Sequence, residues 1–280
     1  MTDMKTLKLM ANTVRQDIIR SLHEAKSGHS AGSMGMADVF TAFYFAVLNH
    51  DPKNPKWEGR DYFLLSAGHI CPGLYAAMAN AGYFPKEELM TLRKLGTRLQ
   101  GHPHRTDLPG LESTSGPLGE GISQAAGMAY ALKMDNKPNT VFCLTSDGEQ
   151  QEGNVWEGIM FAAKNKLDNL VCIMDRNFIQ IDGNTEDVMP LEPLGDKYRA
   201  FNWNVIDIDG NDMAQIVAAL EKGRAHKGSP TMILAKNIPG KGVSFMEGDH
   251  NWHGRPPNTE EKELALKELA DERITLEAGK

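Results

Sequence analysis

The residues best suited to chemistry lie in two turns, each of which follows an apolar run in the middle of the chain. Asp147 and Gly148 follow the first run, and Asn177 follows the second, just before Ile179. Mg²⁺ and Ca²⁺ prefer oxygen ligands, so the Asp147 carboxylate, the Asn177 amide and the Ile179 carbonyl could share one ion. Gly148 lets the backbone approach a phosphate closely, and a helix N-terminus favours its negative charge. The pattern suits a metal and phosphate site, but taken as isolated dipeptides these residues more often form ordinary strand-ending turns.

The elements around these turns predict one βαβ unit. Residues 140–146 and 169–175 are short apolar runs, typical of strands that are buried on both faces. Residues 149–166 carry apolar side chains at three-to-four spacing, which predicts an amphipathic helix between the strands. Because both strands would run in the same direction, their carboxyl ends reach the same rim of the sheet, where open α/β sheets bind ligands.

Two histidines lie on glycine-containing turns, and the second of them, His69, is predicted to lie at that rim. His29 lies in a glycine-rich turn between a predicted helix over residues 6–26 and a second helix that continues to about residue 48. His69 follows a predicted strand over residues 61–65, on a turn that contains glycine. A lone loop histidine is usually a solvated surface residue, so each of them also has an interpretation without chemistry.

Further elements continue the alternation of strands and helices. Strands are predicted over residues 204–209 and 231–236, and helices over 122–133, 212–226 and 259–278. Residues 90–121 form a long irregular segment, and such segments in compact domains are usually functional or disordered.

Composition excludes several classes of function. The net charge of −7, without a concentrated basic run, argues against a nucleic-acid partner. No apolar stretch is long enough to span a bilayer, and the N-terminus lacks a signal-peptide pattern. The three cysteines Cys71, Cys143 and Cys172 form no CxxC pair, which is typical of reduced core residues. These features predict a cytoplasmic globular protein.

The central motif resembles the thiamine-diphosphate motif, GDG followed later by Asn, here in the form Ser146-Asp147-Gly148 and Asn177. The continuation NFIQIDGNTEDVMPLEPLGDKYRAFNW is similar to the transketolase branch of that superfamily. Ser146 stands where the motif usually has its first glycine, and Ser30 where a proline usually follows the loop histidine. The resemblance covers nearly the whole chain. It implies a doubly wound α/β fold with a mainly parallel sheet and helices on both faces, as one diphosphate-binding domain over residues 1–280.

The resemblance implies two cofactors and a set of residues that hold them. Thiamine diphosphate would contact Gly148, and Asp147, Asn177 and Ile179 would ligate Mg²⁺, with Ca²⁺ or Mn²⁺ as substitutes. Other cofactor contacts implied by the resemblance are Gly116, Leu118, His69 and His253.

Four histidines are the catalytic residues that the resemblance implies: His29, His69, His102 and His253. His69 and His253 would contact both the diphosphate and the substrate, whereas His29 and His102 would face the substrate. An imidazole titrates near neutral pH, which suits hydrogen bonding and proton transfer. His104 and His250 receive no role.

A partner subunit is also implied. A complete transketolase continues with a pyrimidine-binding domain and a third domain, so this chain is expected to be the N-terminal subunit of a split transketolase, assembled as α2β2. The complex would transfer a two-carbon ketol unit from a ketose or its phosphate to an aldose or its phosphate. Glu152 and Glu157 would lie at the subunit interface, although surface carboxylates of this kind are ordinarily just solvated. A half-site would also leave an apolar face on the rim.

Three alternatives remain open from the sequence. One is another thiamine-diphosphate enzyme, either a 2-oxo acid dehydrogenase α subunit or a deoxyxylulose-phosphate synthase. Another is a non-catalytic cofactor-binding subunit, and the last is an unrelated Mg²⁺-nucleotide domain, although no phosphate-loop motif is present. The sequence does not determine the sugar.

Overall fold

The structure, a computed structural model, describes residues 2–279 and is built on a parallel β-sheet. In chain order the strands are β1 (Tyr62–Leu65), β2 (Val141–Ser146), β3 (Leu170–Arg176), β4 (Ile179–Gln180), β5 (Gly183–Asn184), β6 (Asn204–Asp209) and β7 (Thr231–Lys236). Five of them form one sheet in the order β1-β2-β3-β7-β6, and every neighbouring pair is parallel. The other two, β4 and β5, form a small antiparallel hairpin directly after β3.

Helices connect the strands. They are α1 (Met4–Ala25), α2 (Ala31–Gly35), α3 (Ala37–Ala42), α4 (Cys71–Asn80), α5 (Glu120–Met134), α6 (Gly153–Lys164), α7 (Thr185–Val188), α8 (Leu194–Ala200), α9 (Met213–Ala225) and α10 (Thr259–Glu277). A π-helical turn covers Phe43–Val47, and 3₁₀ turns cover Gly68–Ile70, Lys86–Thr91, Gly148–Gln151 and His250–Trp252. Among the described residues, no helix is both long and apolar enough to cross a membrane.

Two hydrophobic cores lie on opposite faces of the sheet. Since successive side chains of a strand point to opposite faces, Phe142 and Leu144 of β2 enter one core and Val141 and Cys143 enter the other. The first core contains α1, α3, α4 and α9, and the second contains α5, α6 and α8. All residues of β2 and β3 are buried, as expected for strands covered on both sides. The doubly wound fold implied by the resemblance is confirmed.

The predicted βαβ unit is present, but its helix begins later than predicted. β2 and β3 start within one residue of the predicted positions. The predicted helix over residues 149–166 is instead a 3₁₀ turn at Gly148–Gln151 followed by α6. The reason is that Glu149 turns inward to accept hydrogen bonds from Ser66 and Ser146, so it is not available to a helical surface.

The predicted second helix is also interrupted. It divides at Met36 into α2 and α3 and ends in the π-helical turn. A methyl group at Gly35 would lie 3.0 Å from the carbonyl oxygen of Ile238, and Gly240 donates a hydrogen bond to the Ala31 carbonyl. The segment after β7 therefore packs directly on the helical backbone, and this tertiary contact accompanies the break.

Candidate active site

The carboxyl ends of the strands open into a cavity of about 300 Å³. Its wall comes from the turns after β1, β2 and β3, the β4–β5 hairpin, and three loops distant in sequence. The lining residues are His29, His69, His102, Gly116, Leu118, Ser146, Gly148, Gln151, Glu152, Asn177, Ile179, Gln180, Ile181 and His253. The structure thus brings together all four predicted histidines with most of the predicted cofactor residues.

Three of the histidine rings form a compact triangle. Their centroids are 5.1 Å apart for His29 and His69, 5.5 Å for His29 and His253, and 5.2 Å for His69 and His253. They come from the turn between α1 and α2, the turn after β1, and the segment before α10.

A serine that sequence reasoning did not assign brings two of these segments together. Ser30 is buried, and its hydroxyl donates a hydrogen bond of 2.6 Å to the carbonyl of Arg255. Ser33 donates a second bond, of 2.7 Å, to the carbonyl of His29. The serine that replaces the usual proline therefore connects the His29 turn to the segment that carries His253.

Burial keeps these imidazoles neutral at pH 7. It lowers the pKa of His29 to about 4, with smaller contributions from His253, Arg93 and His102. Burial is also the largest cause that lowers the pKa of His69, followed by the neighbouring His253 and His29. The pKa of His102 and that of His253 are lowered in the same way. A neutral imidazole can both donate and accept a hydrogen bond, as proton transfer requires.

The glycines of the long irregular segment permit close approach on the part of the wall beside His102. Gly116 has φ of 154°, and a methyl group there would lie 3.7 Å from the His102 ring. Gly119 has φ of 84° and precedes α5, against the side chain of Glu152. Leu118, between them, remains 39% exposed at the mouth of the cavity. This wall therefore presents backbone and one apolar side chain to a ligand.

Asp147 lies buried beneath the cavity at the end of β2. One carboxylate oxygen accepts a 2.8 Å hydrogen bond from the Gly148 N–H, and the other accepts one of 2.7 Å from the Phe178 N–H. Burial raises the pKa of Asp147 to about 6, and the nearby Arg176 guanidinium opposes this rise. A methyl group at Gly148 would lie 3.2 Å from Gln180, so glycine allows the turn to approach the β4–β5 hairpin.

Asn177 lies beside Asp147 at the end of β3. Its amide NH₂ donates to Asp175 at 2.8 Å, and its amide oxygen accepts from the Ile179 N–H at 2.9 Å. The first bond orients the amide oxygen away from Asp175. Each carbonyl or carboxylate oxygen has a second lone pair, so these contacts leave Asp147 and Asn177 with acceptor capacity for a cation. Within residues 2–279 no group of three or more His, Cys, Asp or Glu side chains has metal-ligating geometry. The predicted ligand set does not form such a group, because Asp147 is its only side chain of these four types.

Arg176 is the main partner of Asp147, and sequence reasoning did not identify it. Its guanidinium lies 3.0 Å from the Asp147 carboxylate, and at 2.6 and 2.9 Å from the carboxylates of Glu186 and Glu192. It also lies over the Phe178 ring, 3.8 Å from the centroid. Because the two glutamates compensate the cation, Asp147 still contributes negative charge to the rim.

The two predicted interface glutamates have different positions. Glu152 is exposed, precedes α6 and lines the cavity. Glu157 is exposed on α6 and does not line it.

The residues present fit a diphosphate cofactor with an aromatic ring system. The cavity is lined by four imidazoles, the Gly148 turn and the apolar side chains of Leu118 and Ile181, and the Nδ1 atom of His29 is buried without a partner among the described residues. Such unpaired donors or acceptors are rare in folded proteins unless a ligand completes them. These features define a ligand-binding α/β protein with its site at the carboxyl rim of a parallel sheet.

Comparison with known proteins identifies the family. The chain matches "Transketolase, thiamine diphosphate binding domain" over residues 6–272, and it belongs to this family. It is 44% identical to 6-deoxy-6-sulfo-D-fructose transketolase subunit SqwG of Clostridium sp. (strain MSTE9), over 95% of this chain and 97% of that protein. It is 38% identical to an apulose-4-phosphate transketolase subunit of Phocaeicola vulgatus, over 95% of each chain.

Solved transketolases share the fold and are about twice as long. The transketolase of Campylobacter jejuni superimposes with a TM-score of 0.86 at 29% identity, over 99% of this chain but 48% of that chain. The transketolase of Leishmania mexicana gives a TM-score of 0.84 at 28% identity, over 99% of this chain and 46% of that chain. The chain therefore spans about half the length of these two solved transketolases and nearly all of the two transketolase subunits.

Proposed function

We propose that this chain is the N-terminal subunit of a two-chain, thiamine-diphosphate-dependent transketolase. The observation that carries the proposal is the cavity in which four histidines meet the Asp147–Gly148 turn and Asn177. Near full-length similarity to two transketolase subunits supports the enzyme class and a separate partner. The family match supports thiamine diphosphate as the cofactor.

The residues of this chain would hold the diphosphate half of the cofactor. His69 and His253 line the same cavity as Gly148, and they would donate hydrogen bonds to phosphate oxygens. Gly116 and Leu118 would lie against the aminopyrimidine. When bound, thiamine diphosphate supplies the electron sink for cleavage of a ketose carbon–carbon bond.

His29 and His102 would act on the substrate. Each is neutral at pH 7 because its pKa is lowered, so each can accept a proton from a substrate hydroxyl and return it later. The Nδ1 atom of His29 has no hydrogen-bond partner among residues 2–279, and a substrate hydroxyl would supply one.

Asp147, Asn177 and the carbonyl of Ile179 would ligate a divalent metal, with Mg²⁺ as the expected ion. The support is the chemistry of the donors, which are all oxygen atoms, and their convergence where β2, β3 and β4 end or begin. Mg²⁺ usually retains water and binds substrate phosphates in addition to a few protein ligands, which agrees with a set of only three.

Exposed apolar side chains support a protein partner. Ile181, 71% exposed, borders the cavity together with Leu118. A second group covers the outer surface of α5 and α6, here called the α5–α6 face, and consists of Tyr130, Met134, Met160 and Phe161. Contiguous apolar patches of this kind mark interaction sites. We assign the cavity border to the pyrimidine-binding partner and the α5–α6 face, with Glu152 and Glu157, to subunit contacts in an α2β2 assembly.

The substrates would be a ketose donor and an aldose acceptor. The two similar subunits are named for 6-deoxy-6-sulfo-D-fructose and apulose-4-phosphate, which are both anionic sugars. We propose an anionic sugar here as well, bound at its charged end mainly by the partner. Three buried cysteines with free thiols support a cytoplasmic location.

The test is ketol transfer by the assembled complex. The chain is co-purified with its partner and assayed with anionic ketose donors and aldose acceptors, with and without thiamine diphosphate and Mg²⁺. Transfer that requires both cofactors supports the proposal. A complex that binds the cofactor yet transfers no ketol unit from any donor would favour the non-catalytic alternative.

A further inference from the structure

Arg93 lies outside the cavity wall but contacts two of the turns that form it. It belongs to the irregular segment between the 3₁₀ turn Lys86–Thr91 and His102. Its backbone adopts the left-handed conformation, with φ of 61°, and its N–H donates a 2.9 Å hydrogen bond to the Leu99 carbonyl. A non-glycine residue in this conformation is held there by its surroundings, and such residues concentrate at functional sites.

The guanidinium of Arg93 bridges the His29 turn and the His102 turn. It donates a hydrogen bond to the hydroxyl of Ser27, and a methyl group at Gly28 would lie 4.0 Å from its Nη1. On the other side, a methyl group at Gly101 would clash with its Nε, so the glycine lets the Arg93 side chain lie against this turn. Ser27 and Gly28 lead directly into His29, and Gly101 precedes His102.

The bridge also places a positive charge, without a neighbouring carboxylate in the described part of the chain, close to the imidazoles of His29 and His102. Within residues 2–279, no carboxylate oxygen lies within 4.0 Å of the Arg93 guanidinium. The groups that influence His29 are Arg93, His253 and His102, and those that influence His69 are the other three histidines. After burial, the charge of Arg93 is a cause that lowers the pKa of both His29 and His102.

We propose that Arg93 is a positioning residue for ketol transfer, since its single guanidinium holds the His29 turn and the His102 turn in fixed relation across the cavity. This inference rests on the proposed function and extends it, because Arg93 does not line the cavity and contacts only the turns that carry His29 and His102. Arginine suits this task because its planar group donates in several directions at once, whereas a lysine ammonium is a point charge on a flexible stem.

Two substitutions of Arg93 separate the bridge from the charge. Arg93→Lys keeps the positive charge but loses the contact with the Gly101 turn. Arg93→Met loses both the charge and the bridge between the two turns. In the assembled complex, we expect both variants to lower kcat by about tenfold or more, as misplacement of catalytic groups does. The cofactor concentration for half-maximal activity should stay within about twofold, since His69 and His253 are not bridged.

Ser27→Ala tests the bridge from its other end without a large change in the fold, because Ser27 is exposed. As a single substitution, Ser27→Ala should lower kcat. In the Arg93→Met background it should have little further effect on kcat, since both changes remove the same contact. Arg98→Met is the matched control. Arg98 lies on the same segment but pairs with Glu88 at 2.8 Å and lies over Phe84, so its loss should leave kcat unchanged.

A second measurement needs no activity. Imidazole NMR titration of the full 280-residue chain should show that Arg93→Met raises the pKa of His29 and His102, by about 0.5 or more, because removal of a cation favours the imidazolium. Arg93→Lys should leave both values near those of the wild type. Three results would each overturn the inference. They are unchanged pKa values of His29 and His102 in Arg93→Met, additive effects of Arg93→Met and Ser27→Ala on kcat, and an equal loss of kcat in Arg98→Met. If the wild-type complex transfers no ketol unit, the proposed function fails, and the titration alone decides on Arg93.

Discussion

At the scale of residues, the site depends on imidazoles that stay neutral while they lie close together. Three rings within 5.5 Å of one another could not all be protonated without strong repulsion. Burial removes this conflict because it disfavours the charged form of each ring. The cluster therefore contributes hydrogen-bond donors and acceptors at neutral pH rather than a fixed positive charge.

The four histidines should separate kinetically. We expect His29→Ala and His102→Ala to lower turnover by about 10²–10⁴-fold at saturating cofactor, which is the usual contribution of a general acid or base. His69→Ala and His253→Ala should instead raise the cofactor concentration needed for half-maximal activity by about tenfold or more. Steady-state kinetics of the assembled complex measures both effects. His104→Ala is the control, since His104 is exposed and bonds to Asp107. Full turnover in both His29→Ala and His102→Ala would remove them from the chemistry.

Stability should also depend on pH through His29. Its pKa is about 4 in the folded chain and 6.5 in an unfolded one, so between these values the unfolded state binds more protons. The free energy of unfolding therefore falls as pH decreases from 6.5 to about 4. His29→Gln should reduce this slope by up to about 1.4 kcal/mol per pH unit. Urea unfolding at a series of pH values measures the slope, and equal slopes in the two proteins would contradict the pKa.

At the scale of elements, parallel strands bring the proposed metal ligands together. β2 and β3 are neighbours in register, with Ser146 opposite Asp175, so the next residues of each strand meet at one rim. The hairpin of β4 and β5 then folds back over Gly148. The ligand set is therefore a consequence of strand pairing rather than of any local sequence motif alone.

Asp147→Ala should weaken cofactor binding because it removes the anionic ligand of the proposed metal. We expect at least about a tenfold loss of thiamine-diphosphate affinity at fixed Mg²⁺, or about 1.4 kcal/mol. Calorimetry on the assembled complex measures it. Asp187→Ala, in exposed α7, is a matched control that should bind normally. Unchanged affinity in Asp147→Ala would exclude this residue from the metal site.

The sequence predicted the central strands well for a physical reason. β2 and β3 are buried on both faces, so their sequences are continuous apolar runs bounded by polar turns. Helix α4 received no prediction because it is buried nearly all round and shows no amphipathic period. The start of α6 was wrong because Glu149 is held by serines from two strand ends, a contact invisible in the local pattern.

The candidate site was partly predictable for a similar reason. The position of His69 beside a glycine after a strand indicated the rim, and the family resemblance supplied His102 and His253. The bridge by Arg93 and the compensation of Arg176 by Glu186 depend on tertiary contacts between distant segments. No spacing rule for local sequence gives such contacts.

At the scale of the whole molecule, the α5–α6 face groups four exposed large apolar side chains on neighbouring helices. Tyr130 and Phe161 pack edge to face with centroids 5.5 Å apart, so the two helices present one continuous surface. Phe161→Glu should place a charge in the proposed subunit contact and reduce assembly by about tenfold or more, without unfolding the chain. Light scattering of the purified complex measures this. Leu264→Glu, on exposed α10, is the control. Normal assembly of Phe161→Glu would exclude this face.

The proposed function requires above all that this chain holds only half of a transketolase site. Ketol transfer by the isolated chain tests this directly, with saturating thiamine diphosphate and Mg²⁺, before and after addition of the purified partner. We expect no transfer by the chain alone and full transfer once the partner is present at equal molar ratio. Robust transfer by the chain alone, with no second polypeptide in the sample, would show that the half-site proposal is wrong.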